Sequence, residues 1–217
     1  MSQPSLELGA VVPTLRFDPI EHRYFLEPSG EEIPGVTRAL EECGLTDFSM
    51  VPRHILEAAQ QRGTDVHNAL HYLDDGELDE ASLTEEMHGY VMAYLRFKNQ
   101  MRFEPTLVEK FVYSLAHRWA GRLDRVGLIE RKDGGQDKIV VDFKSGLVLP
   151  AHRIQLAAYV SGLPDPRSHR RMTLELDSDG TYKCHEYDAQ SYARDLNTFH
   201  SAVNVWHWKR DHGRKRA

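Results

Sequence analysis

Two apolar stretches, Arg122 to Glu130 and Lys138 to Lys144, are separated by the turn signal Asp133-Gly134-Gly135, and each carries an acid where an apolar residue is expected. Such a pattern reads as a hairpin whose two strands lie side by side. Asp124 stands among Leu123, Val126 and Leu128 in the first strand. In the second, Val140-Val141-Asp142-Phe143-Lys144, the period of two puts Asp142 and Lys144 on one face and Val141 and Phe143 on the other. An isolated acid-x-lysine pair is ordinarily an exposed ion pair. Here the hairpin brings a second carboxylate beside it, and two carboxylates about 4 Å apart repel by roughly 4 kcal/mol at an effective dielectric near 20. A cation between them removes that cost. Oxygen donors without a thiolate favour a hard ion such as Mg²⁺ or Mn²⁺.

The rest of the chain frames this hairpin. Leu15 to Glu27 reads as short extended pieces around a turn at Asp18-Pro19, followed by a second turn at Pro28-Ser29-Gly30. Gly35 to Cys43 predicts a short helix ending at Gly44. From Pro52 to Leu73 the apolar residues Ile55, Ala59, Val66, Ala69, Leu70 and Leu73 fit one helical face, with Gly63 marking a break or a close contact. Ser82 and Glu85 form a capping box before a helix whose stripe of Met87, Tyr90, Val91, Tyr94 and Met101 is core-forming. Strands are predicted at Leu107–Leu115, Arg122–Glu130, Lys138–Lys144, Met172–Leu176 and Thr181–Tyr187. Helices are predicted at Ala151–Val160 and from an N-cap near Asp188 to Trp208. The expected fold is α/β or α+β: a mixed sheet flanked by helices. Residues 1–104 form a hairpin and helical region packed on a core of residues 105–217, together a single compact unit.

Composition narrows the function classes. No stretch approaches the roughly 18 apolar residues of a membrane span, and Met1 to Gly9 lack the basic start and apolar run of a secretory signal, so the expected setting is cytoplasmic, without a membrane partner. Two distant cysteines, Cys43 and Cys184, read as free thiols; they cannot build a four-cysteine zinc or iron–sulfur site. The net charge of −6 argues against a nucleic-acid partner only until its distribution is seen. Residues 1–50 hold nine acids and three bases, leaving 24 of each in the remainder. Bases gather at Arg167, Arg170 and Arg171 and in the run Lys209, Arg210, Arg214, Lys215 and Arg216, either as solvated surface or as phosphate contacts.

Further along, Gln155 and Tyr159 fall at i and i+4 on one face of the helix that follows Lys144. Together, Gly121-x-x-Asp124, Asp142-x-Lys144, Gln155-x-x-x-Tyr159 and, upstream, Gly63-Thr64-x-x-His67 resemble the motifs of the PD-(D/E)XK nucleases, RecB-like branch, over residues 60–165. The chain is most similar there to phage-type exonucleases and to mitochondrial genome maintenance exonucleases. The iron–sulfur members of the branch are excluded by the cysteine count.

The resemblance implies a restriction-endonuclease-like core and a role for each matching position. Asp124, Asp142, the Phe143 backbone carbonyl and His67 would be metal ligands. Lys144 would position or activate the attacking water, and Gln155 and Tyr159 would shape the site and touch the nucleic acid. Glu109 lies where some relatives place an acid serving a second metal, so one or two ions are open. Trp119, Arg122 and Arg153 are candidates for contact with the nucleic acid, as are the aromatics Tyr90, Tyr94 and Phe97. The implied activity is Mg²⁺- or Mn²⁺-dependent hydrolysis of DNA from free ends, in recombination, repair or phage DNA processing, with a recombination protein as a partner. An endonuclease with the same site, or an inactive nucleic-acid-binding module, are the alternatives.

Overall fold

The computed structural model describes residues 12–213. A central five-stranded sheet has the order β4-β5-β6-β7-β8, with β4 at Glu104–Ser114, β5 at Trp119–Glu130, β6 at Gln136–Lys144, β7 at His169–Leu176 and β8 at Tyr182–Tyr187. Only β6 and β7 run parallel, joined by helix α4 at His152–Ser161. A smaller antiparallel sheet is made of β1 at Thr14–Asp18, β2 at Arg23–Glu27 and β3 at Glu31–Ile33. The mixed sheet flanked by helices is the fold class expected from the sequence.

Both faces of the large sheet are covered, which is why its central strands read as nearly continuous apolar runs rather than alternating ones. On one face Leu123, Val126 and Val140 pack under α1 (Val36–Glu42), α4 and α5 (Tyr192–His212) with Leu156, Val160 and Phe199. On the other, Ile139, Val141, Phe143 and Leu174 pack under α2 (Arg53–Asp75) and α3 (Glu85–Met101) with Leu70 and Tyr94. Tyr24, Leu26 and Ile33 dock the small sheet on Ala120.

Three local expectations need correction. The N-cap of α3 is Thr84, whose side chain accepts from Met87 N–H; Ser82 instead sits in a 3₁₀ turn and donates to the Asp79 carbonyl. Asp188 caps a 3₁₀ turn at Ala189–Ser191, and α5 begins only at Tyr192. Gly63 neither breaks α2 nor is forced by close packing, since a Cβ there would meet Ser145 Oγ at an ordinary 4.0 Å. Both end segments bearing earlier expectations, Met1–Gly9 and Arg214–Arg216, lie outside the described residues. Among the described residues no helix is long and apolar enough to cross a membrane.

Candidate active site

The β5–β6 ladder runs from Glu130↔Gln136 to Arg125↔Val141 and stops there, while β6 continues beside β7 as far as Lys144↔Glu175. The two strands therefore part just where Asp124 and Asp142 would have been opposite each other. A side chain fills the opening: Asp124 Oδ2 accepts the Phe143 N–H at 2.7 Å. An acid that replaces a strand partner in this way is buried, and Asp124 is only 6% exposed.

The other neighbour of β5 is disturbed at the same level. The β4–β5 ladder pairs Val108 with Arg125 and Lys110 with Leu123, skipping Glu109 and Asp124. Glu109 has φ +48, a left-handed backbone that a non-glycine residue adopts at a cost of roughly 1–2 kcal/mol. Such strain persists only where surrounding contacts enforce it. Here they are ionic: Arg122 Nε lies 3.0 Å from Glu109 Oε2, and Arg125 Nη1 donates to Oε1 at 3.3 Å.

From α2, His67 reaches the same place, its Nδ1 3.4 Å from Asp124 Oδ1 and 3.9 Å from Glu109 Oε1. Val66 and Leu70, flanking it on the helix, are buried in the core and fix its height. Its ring meets Phe143 edge-on at 5.9 Å. One donor atom from each of His67, Glu109 and Asp124 lies within 4.8 Å of the others. The structure thus brings together three of the predicted ligands. Asp142 stands apart from that trio, engaged by Lys144, whose Nζ is 2.7 Å from Asp142 Oδ2.

The electrostatics of the trio follow from burial and mutual charge. Burial pushes the Asp124 carboxyl up to about 6; His67 opposes the rise, while Asp142 and Glu109 add to it. Burial alone would lower His67, but Asp124 and the contact with Glu109 outweigh it and hold the imidazole above its ordinary value. For Glu109, burial acts upward and is overcome by His67 and Arg122, so the net direction is down. Lys144 is likewise raised: Asp142 and Asp124 overcome its desolvation and keep it charged.

These features test whether a divalent cation fits. The carboxylates around His67 favour its protonated form, which brings positive charge among them. A metal ion would take over that role and release the proton. Asp142 Oδ2 is buried 2.7 Å from the Lys144 ammonium. Two buried carboxylates side by side, Asp124 and Asp142, favour a cation between them. Two or three carboxylates with one imidazole suit Mg²⁺ or Mn²⁺.

Gln155 and Tyr159 on α4 form the next layer. Gln155 Nε2 donates to Tyr159 Oη at 3.0 Å, which leaves the hydroxyl proton free to donate elsewhere. Burial, then Asp142 and Asp124, push that hydroxyl well above its usual range, so it stays protonated. Gly121 is needed beneath it, because a Cβ there would stand 2.8 Å from the Tyr159 ring and 2.9 Å from Val36.

A cleft of about 610 Å³ opens on His67, Phe143 and Lys144, walled by Ile55 and Gly63 of α2 and by the loop carrying Leu147. A second cavity, about 780 Å³ between Pro166 and Ala193, is larger but contains none of these residues. The smaller cleft is the one that meets the chemistry. His152 also lines it; its Nδ1 accepts from Leu149 N–H, and burial together with Lys144 lowers it to about 4, so it is a neutral donor through Nε2.

The expected nucleic-acid contacts fare unevenly. Trp119 is fully buried, edge-on to Phe199 at 5.2 Å, and offers no face for a base to stack on. Tyr90, Tyr94 and Phe97 are core residues too. Arg122 is occupied by Glu109, and Arg153 pairs with Asp195 at 3.1 Å. Sequence reasoning missed His152 and the buried pair Arg125 and Asp74. For Arg125 a signal existed, a cation between Asp124 and Val126 in an otherwise apolar stretch of strand.

No family model matches the chain, and no curated protein matches it. Among solved structures, it is similar to the protein SSO0001, with 15% identity, a TM-score of 0.29, and coverage of 63% of this chain and 72% of the other. It is also similar to an alkaline exonuclease, LHK-Exo, from Laribacter hongkongensis, with 12% identity, a TM-score of 0.31, and coverage of 82% and 92%. Both overlaps are loose.

Proposed function

We propose that the chain is a divalent-metal-dependent nuclease of the PD-(D/E)XK type that hydrolyses DNA phosphodiester bonds. One observation carries this reading: residues distant in sequence, His67, Glu109 and Asp124, converge within 4.8 Å where two strands part, beside the buried Asp142–Lys144 pair. Asp124, Asp142, His67 and the Phe143 carbonyl would hold Mg²⁺ or Mn²⁺, with Glu109 serving the same ion or a second. When bound, the ion supplies a Lewis acid for the phosphate and lowers the pKa of a coordinated water. Phosphodiester hydrolysis without a catalyst is extremely slow, so the site must provide acceleration near the upper part of the ~10⁶–10¹⁷ range.

The chain's own residues supply the remainder. Lys144 is charged and 23% exposed toward the cleft, where, on leaving Asp142, it would hold the attacking water and offset charge that develops on the phosphate. Tyr159 and His152 are neutral donors with which a phosphate oxygen can be oriented. Attack from free ends is the substrate preference we infer from the motif resemblance. Repair, recombination or phage DNA processing is the setting that such an activity would serve.

End-labelled single- and double-stranded DNA and covalently closed circles, incubated with EDTA, Mg²⁺ or Mn²⁺, test the reading. Ion-dependent loss of label from linear DNA, slowed about 10²–10³-fold by Lys144→Ala and with closed circles left intact, is expected. Equal activity of wild type and Lys144→Ala would end the enzymatic reading, and rapid cutting of circles would replace exonuclease by endonuclease.

A further inference from the structure

One group of buried charges has no part in the chemistry above. Arg125 is fully buried, and its Nε donates at 2.7 Å to Oδ2 of Asp74, whose side chain is 1% exposed. Asp74 is saturated, accepting also from Tyr94 Oη at 2.8 Å and from Lys98 Nζ at 2.6 Å. A buried pair of this kind is expensive to desolvate, and apolar residues of similar volume would hold α2 on β5 as well or better. The pair is not even fully satisfied: Arg125 Nη2 has no hydrogen-bond partner, and the guanidinium lies 5.2 Å from the Phe143 ring centroid. Adhesion alone therefore does not account for it.

What an apolar pair cannot do is aim donors. Arg125 Nη1 reaches Glu109 Oε1 at 3.3 Å and the Asp124 carbonyl at 2.8 Å. Its anchor, Asp74, lies on α2 two turns after His67. The same guanidinium thus touches β4, β5 and the helix that carries the imidazole. We propose that Arg125, held by Asp74, is a positioning residue for the metal-binding cluster. It fixes the Glu109 carboxylate in its left-handed backbone setting, and through α2 it sets the height at which His67 meets Asp124. The inference rests on the metal-binding reading of that cluster.

Mn²⁺ titration by calorimetry, with thermal melts of the same samples, tests it on wild type, Asp124→Asn, Arg125→Lys and the double variant Arg125→Met/Asp74→Asn. The double variant removes both charges yet leaves an amide oxygen to accept from Tyr94, so its melting temperature should be retained or raised. Arg125→Lys keeps the charge but loses the planar fork. Both should lose Mn²⁺ affinity, about 10–100-fold in the double variant, as removal of groups that orient ligands typically does. Wild-type affinity in either folded variant would overturn the positioning role. Absence of Mn²⁺ binding by wild type, matched by Asp124→Asn, would instead overturn the metal-binding reading itself.

Discussion

The two strands that part at the site contribute halves of opposite character. On the β5 side, Asp124 is held by His67 and the Phe143 amide, and neighbouring Glu109 by Arg122 and Arg125. On the β6 side, among the described residues, Asp142 is paired with Lys144 alone, at 2.7 Å. A braced half suits binding, which demands fixed geometry. The sparser half suits reaction under the proposed function, in which Lys144 would exchange its carboxylate for a water or phosphate.

The contrast can be broken first at Asp124. Asp124→Asn should abolish both Mn²⁺ binding and turnover, whereas Lys144→Ala should cost about 10²–10³ in kcat with Mn²⁺ binding intact, as loss of an electrostatic donor does. Calorimetry beside single-turnover kinetics separates the two; equal loss of ion affinity in both variants would erase the distinction between the halves. His67→Ala should fall between them, with Mn²⁺ affinity reduced by roughly 10–100-fold.

A subtler effect is on pH. Asp124 in the folded, ion-free protein titrates near 6, above its ordinary 3.8, so the native state binds the extra proton. Its contribution to stability is fully present below about pH 4 and is lost as pH rises through about 6. The expected slope is of order 1 kcal/mol per pH unit within that window. Ion-free melts from pH 4 to 7 should show it as a difference between wild type and Asp124→Asn, and a constant gap between the two curves would contradict it. Saturating Mn²⁺ should reverse the trend, since the ion displaces protons. The smallest effect is at Arg122→Met: its side chain is 41% exposed, so its pairing with Glu109 should matter by under about 1 kcal/mol.

How much of this could be read from the chain divides along the same line. Asp142 and Lys144 were legible because β-strand alternation places them on one face, and Asp124 because an acid in an apolar run is conspicuous. The motif resemblance reached His67 and Glu109, but not the left-handed backbone that turns Glu109 toward the site, which no residue preference announces. The brace behind them was not legible. Asp74 lies 51 residues from Arg125, and only packing of α2 on β5 makes them neighbours. Trp119 misled because an aromatic two residues before a glycine looks the same whether a base or Phe199 covers it. The α3 cap was displaced from Ser82 to Thr84 because both residues can cap, and the 3₁₀ turn Glu80–Ser82 takes up Ser82.

The amide of Phe143 has a consequence for experiment. It is the one β6 backbone proton described here whose acceptor is an ionisable side chain rather than a neighbouring strand. Its chemical shift and its exchange with solvent deuterium therefore register whatever happens to the Asp124 carboxylate. A single resonance would serve as an internal gauge of occupancy, readable with no DNA in the tube.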